Sequence, residues 1–457
     1  MSEIDDERLL AIKKLNALVD EGLSEKGLLS EMELEAETQK QALGQRLMDE
    51  KLSLLRPEDG KPKACPRCGR RSKRRATNIE RRFRSLSGEH TLKRDYYYCD
   101  GCSAGFYPRD LLLGLPERGD VSVELERRMA DFAVTDTFEV ASERWNMHYS
   151  LKVSSNQFRQ IILRLGGALE MADKNPTLLH TSLKKPETSA AETLYVMNDG
   201  GMVPMRGEWK ECKMGLCFRD DAHVKGDQIH RGQIAQARYV AVLGGQEEFK
   251  KEMEQALFIE NAVRAKRIVW VADGAIGNWA LASVLAPRAI QILDWHHAVQ
   301  HATDCAKVLF GETDAIGTSA WKSSVEHLLR TDVRRLISEL KECQLQSDLE
   351  AHRKALSQLV DYYENNQSRM NYAEYLKIGL IVDSGPVESA HRHVIQARMK
   401  RAGQHWSERG AKRMAKIRAA YKTAGPSRFY DAIRWAARRG SRVKKLPMFE
   451  KRRASNR

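Results

Sequence analysis

Apolar residues at helical spacing mark the first part of the chain. Over residues 1–56, leucines such as Leu43 and Leu47 recur among glutamates and lysines, which predicts two amphipathic helices. Two roles are open for these helices, packing against another domain and self-association.

Residues 120–170 predict three more helices. The third begins at Ser154, where a serine is followed three residues later by a glutamine, as in a capping box.

Strand patterns begin after a polar linker and define the middle of the chain. Apolar or alternating runs at Thr193–Asn198, Trp209–Phe218 and Tyr239–Leu243 predict three strands. Helical and strand patterns then alternate: a helix over 246–262, a strand over 267–272, a helix over 279–285 and a strand over 289–293. Three antiparallel strands followed by this alternation give the element order of an α/β core of the RNase H-like type.

Helical patterns without strand signals fill residues 296–380, which we interpret as an insertion into the α/β core. A new helix is then predicted from Ser384, because Pro386 suits a first turn, and this helix carries Glu388. The predicted domains are an N-terminal helical region (1–56), a zinc ribbon (57–119), a helical domain with its linker (120–190), the first part of the core (191–295), the insertion (296–380), the final core helices (381–425) and a basic tail (426–457).

Four of the eight cysteines form two C-x-x-C motifs, Cys65 with Cys68 and Cys99 with Cys102. In a cytosolic chain such pairs bind metal far more often than they form disulfides. Zinc takes four thiolates in a tetrahedron, and the alternating stretch between the motifs predicts a β-hairpin. We therefore predict one structural Zn²⁺ in a zinc ribbon. Four protein ligands leave this metal no open position for catalysis.

The charge of the chain points to a polyanionic partner. Lysine and arginine total 76 against 62 aspartates and glutamates, which gives a formal charge of +14. Positive charge is concentrated around the cysteine motifs and after Arg392, a distribution that favours nucleic acid over a membrane surface. No apolar stretch of about 18 residues and no cleavable leader is evident, so we expect a cytoplasmic, nucleoid-associated protein.

Candidate DNA contacts follow from this distribution and from the third helix of the 120–170 segment. If that segment is a helix-turn-helix, the first residues of its third helix reach base edges; a plain helical bundle is the alternative. Cations near the cysteines and near Glu388 would contact phosphates. The candidate residues are Arg70, Arg71, Arg74, Arg75, Asn156, Gln157, Arg159, Arg392, Arg398 and Lys400.

Three carboxylates are candidates for catalysis. Asp199 and Asp273 each follow a predicted strand, and side chains at the ends of neighbouring parallel strands lie side by side. Glu388, on a helix laid over the sheet, would complete a site for two Mg²⁺ or Mn²⁺ ions, which prefer such oxygen ligands. Each Asp-Gly taken alone is more typical of an ordinary turn, so the prediction rests on the order of all three residues.

The runs around these residues resemble a known family. Similar blocks occur in transposases of ISKra-type insertion sequences, themselves similar to Mutator-like DDE enzymes. The resembling runs are Asn198–Pro204, Ala272–Ala275, Leu293–His297, Ser384–Ser389 and Gly403–Ser407. The resemblance implies that Asp199, Asp273 and Glu388 are the catalytic triad of a DNA transposase. It further implies strand cleavage and strand transfer on double-stranded element ends and target DNA, and we expect a homo-oligomer, a dimer, on that DNA.

Asp294 and His297 resemble the D-x-x-H element of that superfamily, which supports the catalytic site. A competing interpretation makes Asp294 the second metal ligand; we prefer Asp273, because its strand lies next to the first strand. The chain departs from the family pattern at His296, where tyrosine is frequent, and at Ile276-Gly277-Asn278. Neither departure removes a carboxylate.

Two other functions fit the same sequence. An RNase H-like nuclease or resolvase would cleave DNA without joining it. A domesticated DNA-binding regulator would keep the zinc ribbon and the helical domain while the catalytic core is silent. Retention of Asp199, Asp273 and Glu388 argues against the regulator.

Overall fold

The computed structural model describes residues 29–116, 119–173, 189–224, 232–311 and 313–443, with the single residues Lys13 and Gly226. Only the backbone is described for residues 172–173, 424, 426–428 and 430–443. The chain forms two compact units. Unit 1 consists of Met1–Glu126 and Asn146–Lys152, and unit 2 consists of Arg127–Trp145 and Val153–Arg457. No described helix is long and apolar enough to cross a membrane.

Unit 1 is built on a long β-hairpin. Its sheet has the order β1-β2-β3-β4, and the pairing of neighbouring strands is antiparallel. The predicted hairpin between the two cysteine motifs is confirmed. The elements are α1 (Leu29–Ser53), β1 (Lys63–Ala64), β2 (Arg71–Ser85), β3 (Gly88–Cys99), β4 (Ala104–Phe106) and α2 (Pro108–Leu113).

Helix α1 contacts the hairpin through polar side chains. The Gln45 amide donates to the Glu89 carbonyl at 3.1 Å, and Asp49 Oδ1 lies 2.6 Å from His90 Nδ1. Leu43 and Leu47 are 58% and 50% exposed, so the leucine pattern does not form this contact. Helix α1 is one of the two helices predicted over residues 1–56, and the second predicted helix lies outside the described residues.

Three helices follow the ribbon, as the sequence predicts: α3 (Val123–Thr135), α4 (Phe138–His148) and α5 (Ser155–Asp173). The capping box before α5 is confirmed, because the Ser154 backbone N–H donates to Gln157 Oε1 at 2.8 Å. Within unit 2, Trp145 packs edge-on against Phe132 and Phe158.

A five-stranded mixed sheet forms the centre of unit 2, with the order β11-β10-β5-β6-β9. β6 is antiparallel to β5 and to β9, whereas β10 is parallel to β5 and to β11. The strands are β5 (Thr193–Pro204), β6 (Trp209–Arg219), β7 (His223–Val224), β8 (Gln233–Ile234), β9 (Arg238–Val242), β10 (Arg267–Ala272) and β11 (Ile290–Leu293); β7 pairs only with β8 in the described chain. Helices α6 (Gln246–Ile259) and α7 (Ile276–Leu285) connect the later strands.

Strand β5 is longer than its sequence pattern predicts. The prediction ended it at Asn198, but it continues through Asp199 to Pro204, paired with β6 as far as Trp209. The prediction was wrong because Gly200 and Gly201 suggested a turn. Their backbone groups are instead paired with Lys213 and Cys212 of β6.

The described residues of the predicted insertion form helices joined by loops, without a strand. The insertion contains α8 (Trp295–Phe310), α9 (Ala315–Thr331), α10 (Val333–Gln346), α11 (Glu350–Asn366) and α12 (Tyr372–Lys377). The final helices are α13 (Gly385–Ala390), a π-helical turn (His391–Gln396), α14 (Ala397–Met399) and α15 (Glu408–Val443). Helix α15 is kinked at Gly425, whose φ is 68°, and continues to Val443, so its backbone extends into the predicted tail. Residues 444–457 lie outside the described residues.

Candidate functional site

The four cysteines of unit 1 converge at one end of the hairpin. Cys65 Sγ lies 3.6 Å from Cys102 Sγ, Cys68 Sγ lies 3.5 Å from Cys99 Sγ, and all four sulfurs are within 4.8 Å of one another. Four thiolates around one Zn²⁺ at 2.3 Å would be about 3.8 Å apart. Burial, with the neighbouring thiols, raises the pKa of Cys102 to about 12. The cluster can therefore hold a metal ion, which would favour the thiolates.

The cations of the hairpin fall into two groups. Arg74 Nη1 is 2.9 Å from the carboxylate of Asp95, which is 9% exposed, and Arg75 Nη2 is 3.1 Å from Asp100. The Arg75 pair is exposed on both sides and so contributes little to stability. Arg74, whose side chain is 37% exposed, thus pairs with a buried carboxylate of the ribbon. Arg70, Arg71, Lys73 and Arg82 are exposed as well.

At the start of α5, the predicted base-reading residues are partly used by the helix itself. Gln157 caps the helix through its side-chain oxygen, as described above. Arg159 Nη2 donates to Asn156 Oδ1 at 2.8 Å, and both side chains are exposed. Asn156 and Arg159 therefore remain accessible, whereas Gln157 has a structural role.

Asp199 and Asp273 lie next to each other at the centre of the sheet of unit 2. Met197 of β5 is paired with Val271 of β10, and two more residues along the same register bring Asp273 beside Asp199. Neighbouring strands are separated by about 4.8 Å. The sequence prediction that these two carboxylates come together therefore agrees with the strand register.

The environment of Asp199 disfavours its charged form. Burial raises its pKa, and the nearby charge of Asp273 acts in the same direction, while His391 opposes both effects. The Gly200 backbone N–H donates to Asp199 Oδ1 at 2.7 Å, and 28% of the side chain is exposed. A cation between Asp199 and Asp273 would relieve this repulsion.

A polar network fixes Asp273. Asn278 Nδ2 donates to Asp273 Oδ1 at 2.6 Å, and the Ala275 backbone N–H donates to the same oxygen at 3.1 Å. Asn278 in turn accepts from Asn198, whose oxygen accepts from the Trp270 indole N–H at 2.8 Å. The network joins β5, β10 and α7, and through Asn278 it holds the Asp273 carboxylate in place.

Asp294 connects two segments of unit 2 from a fully buried position. Its Oδ2 accepts from the backbone N–H of His297 at 2.8 Å and lies 2.5 Å from His297 Nδ1, while Oδ1 accepts from the Ser384 backbone N–H at 2.5 Å. Burial alone would raise the pKa of Asp294, but the hydrogen bonds from His297 and Ser384 lower it overall. Both oxygens are engaged with protein groups.

Glu388 shares a helix face with two residues that contact the aspartates. Ser384 Oγ donates to Glu388 Oε1 at 2.9 Å, and the Ser384 backbone contacts Asp294. His391, one turn further on, has its Nε2 3.7 Å from Asp199 Oδ2. Positions three and four apart on a helix are neighbours, so Glu388 is held between these contacts.

The three carboxylates are more widely spaced than the sulfurs. Among the described residues, the four cysteines form the one group of three or more Cys, His, Asp or Glu side chains with all ligand atoms within 4.8 Å. Asp199, Asp273 and Glu388 therefore do not all lie within that distance of one another.

Arg398 requires a correction. Its side chain is 1% exposed, its Nε donates to the Ala133 carbonyl at 3.1 Å, and its guanidinium lies 4.8 Å from the centre of the Phe138 ring. Burial lowers its pKa to about 9. The prediction that Arg398 contacts DNA phosphate is wrong in this structure, because its aromatic and carbonyl surroundings hold it inside. Arg392 and Lys400 are exposed.

Sequence comparison places the chain in a family. Residues 29–439 match an uncharacterised protein family, UPF0236. The chain belongs to this family. One relative, from Streptococcus gallolyticus and described as "UPF0236 protein in vanSb 3'region", is 23% identical over 345 residues, which cover 74% of this chain and 71% of the relative. Neither description names an activity, so the resemblance of this UPF0236 member to transposases stays a prediction.

Several residues near the carboxylates were not predicted from the sequence. His391 could have been found, because it lies three positions after Glu388 on the same helix. Tyr362 could not: it belongs to α11, yet its ring packs so closely on Gly274 that a Cβ there would lie 2.4 Å from Tyr362 Cε2. Its ring also stacks on His301 at 3.8 Å between centroids.

Proposed function

We propose that this UPF0236 protein is a DNA transposase that cleaves and joins phosphodiester bonds at Asp199, Asp273 and Glu388. The observation that carries the proposal is the sheet register that sets Asp273 beside Asp199, with the Glu388 helix tied to Asp294 and Asp199. A strand order of β9-β6-β5-β10-β11, antiparallel over three strands and then parallel, also has the arrangement expected of an RNase H-like core.

Asp199, Asp273 and Glu388 would hold two Mg²⁺ or Mn²⁺ ions, because such cations prefer carboxylate oxygens. The donor set suits them, since Asp199 is partly exposed, and burial together with the nearby charge of Asp273 raises its pKa, an effect that a bound cation would offset. Bound there, the cations would supply an activated attacking oxygen and charge stabilisation for the leaving oxygen of an in-line displacement.

The protein residues around the carboxylates have a positioning role in this proposal. Asn278 holds the Asp273 carboxylate through one oxygen and leaves the other available. Asp294 holds the start of the Glu388 segment through Ser384 and fixes His297. We therefore assign Asp294 and His297 supporting roles rather than metal ligation, because both oxygens of Asp294 are already hydrogen-bonded.

DNA binding is assigned to the exposed cations of unit 1 and to two residues of α5. In this proposal the four cysteines hold one structural Zn²⁺, which fixes the hairpin that presents Arg70, Arg71, Lys73 and Arg82. Asn156 and Arg159 would contact bases, and Arg392 and Lys400 would contact phosphates. We further propose that a homodimer acts on the two element ends.

The test uses purified protein with the DNA that flanks its gene, incubated with Mg²⁺ or Mn²⁺ and a target plasmid. A transposase gives cleaved ends and joined products. Cleavage without joining would indicate a nuclease or resolvase, and binding without cleavage would indicate a DNA-binding regulator. Either of these two results would overturn the proposal.

A further inference from the structure

His391 is a buried histidine beside the candidate carboxylates. It is 4% exposed, and its Nε2 atom has no hydrogen-bond partner among the described residues. The atom nevertheless points toward Asp199, with 3.7 Å between Nε2 and Asp199 Oδ2. A buried polar atom without a partner costs free energy, so its presence calls for a reason.

The space for this ring is provided by Gly201. A Cβ at residue 201 would lie 2.6 Å from His391 Cε1 and 2.8 Å from Nδ1, which is too close for real atoms. Gly201 is paired with Cys212 in an ordinary strand, so the glycine is needed for space and not for its backbone freedom. The imidazole therefore lies directly on the strand that carries Asp199.

The helix changes geometry at His391. Residues Gly385–Ala390 are α-helical, and the following turn, His391–Gln396, is π-helical. Such turns recur at functional sites, where the extra residue redirects side chains. Here the turn starts with the histidine that contacts Asp199, while His393 packs edge-on against Tyr239 at 5.2 Å between ring centroids.

We propose that His391 is a positioning residue, which donates a hydrogen bond from Nε2 to the Asp199 carboxylate and thereby joins the Glu388 helix to β5. The inference rests on the proposed two-metal function. A movement of less than 1 Å would bring the pair from 3.7 Å to hydrogen-bond distance. It would satisfy the buried Nε2 atom and orient a carboxylate that is to bind a cation.

Hydrogen-bond partners of metal ligands typically change metal affinity by about 10- to 100-fold when removed. The test measures Mn²⁺ binding to the full chain by calorimetry, with one equivalent of Zn²⁺ present for the cysteines. His391→Leu fills the space without a donor and is expected to weaken Mn²⁺ binding about tenfold. His391→Gln keeps a donor at a similar distance and should recover most of the affinity.

Two further variants make the comparison specific. His393→Leu removes the neighbouring histidine of the same turn and should leave Mn²⁺ affinity unchanged. Gly201→Ala keeps His391 but displaces its ring from the strand, and we expect it to weaken binding in the same direction as His391→Leu. Thermal unfolding of each variant shows whether the fold is retained.

Asp199→Asn separates the inference from the function on which it rests. If Asp199→Asn binds Mn²⁺ as well as the wild type, the proposed metal site itself is wrong. If Asp199→Asn loses binding while folded His391→Leu and Gly201→Ala retain full affinity, the role of His391 alone is overturned. Equal weakening by His391→Leu and His391→Gln would also contradict it, because it would show that a donor at this position is not what matters.

Discussion

At the scale of single residues, the carboxylates differ in what surrounds them. Asp294 is fully buried and accepts hydrogen bonds at both oxygens, whereas Asp199 is partly exposed and accepts from one backbone N–H. Asp273 lies between these cases, since only one of its oxygens accepts from Asn278 and Ala275. In the proposed metal site, these surroundings favour Asp273 over Asp294 as the second ligand, because Asp273 keeps one oxygen with no hydrogen bond among the described residues whereas both oxygens of Asp294 accept one.

Asn278 gives a residue-scale prediction. Asn278→Ala removes the 2.6 Å hydrogen bond to Asp273 and leaves the Asn198 amide without its acceptor. We expect DNA cleavage to slow by about 10- to 100-fold, as is typical when a ligand loses its orienting partner. Single-turnover cleavage measures the effect, and the exposed Asn365→Ala is the control. Equal rates for Asn278→Ala and wild type would show that the network does not position Asp273.

At the scale of elements, we expect the sheet of unit 1 to depend on a metal ion held by its four clustered cysteines. Cys65 and Cys99 are buried, and Ala104 and Phe106 pack around them. A sheet of this size buries little apolar surface, so a metal ion bound there would add stability that the apolar core alone does not provide. Structural zinc sites supply folding energy directly.

We therefore expect about one Zn²⁺ per chain in the wild type and none in Cys65→Ser or Cys99→Ser, whose sheet in unit 1 should unfold. Elemental analysis measures the metal, and proteolysis of unit 1 reports the unfolding. Cys343→Ser, at an exposed position in α10, is the matched control and should retain the metal. Well-folded wild-type protein without metal would contradict the zinc assignment.

The exposed cations of the same hairpin are expected to affect the salt dependence of DNA binding. Arg71→Ala combined with Arg82→Ala removes two exposed cations, and should reduce the salt slope of DNA binding by about 2 without loss of stability. Arg74→Ala should instead lower stability, because it removes the ion-pair partner of the buried Asp95 carboxylate and leaves it only the backbone N–H of Asn78. Binding titrations over a range of salt concentrations, with thermal unfolding, distinguish the two. An unchanged salt slope of DNA binding in the double variant would show that the hairpin is not part of the DNA interface.

At the scale of the whole molecule, the sequence predicted local patterns better than contacts. Alternation and capping identified the hairpin and the start of α5, because these features depend on neighbouring residues. The extent of β5 was missed, since pairing with β6 overrode the turn preference of Gly200 and Gly201. Arg398 was expected at the surface, yet Phe138 and Trp406 enclose it. Such contacts depend on how the elements pack together, which alternation and capping patterns do not encode.

The central claim is that Asp199, Asp273 and Glu388 act together in DNA cleavage and joining. The most direct measurement compares metal-dependent cleavage of the flanking DNA by Asp199→Asn, Asp273→Asn and Glu388→Gln with that by the wild type. Glu211→Gln is the matched control, because Glu211 lies on the neighbouring strand opposite Met202, on the other face of β5 from Asp199. We predict that all three variants lose both reactions while they still bind DNA, and that Glu211→Gln remains active. Retained cleavage in any of the three would contradict the account.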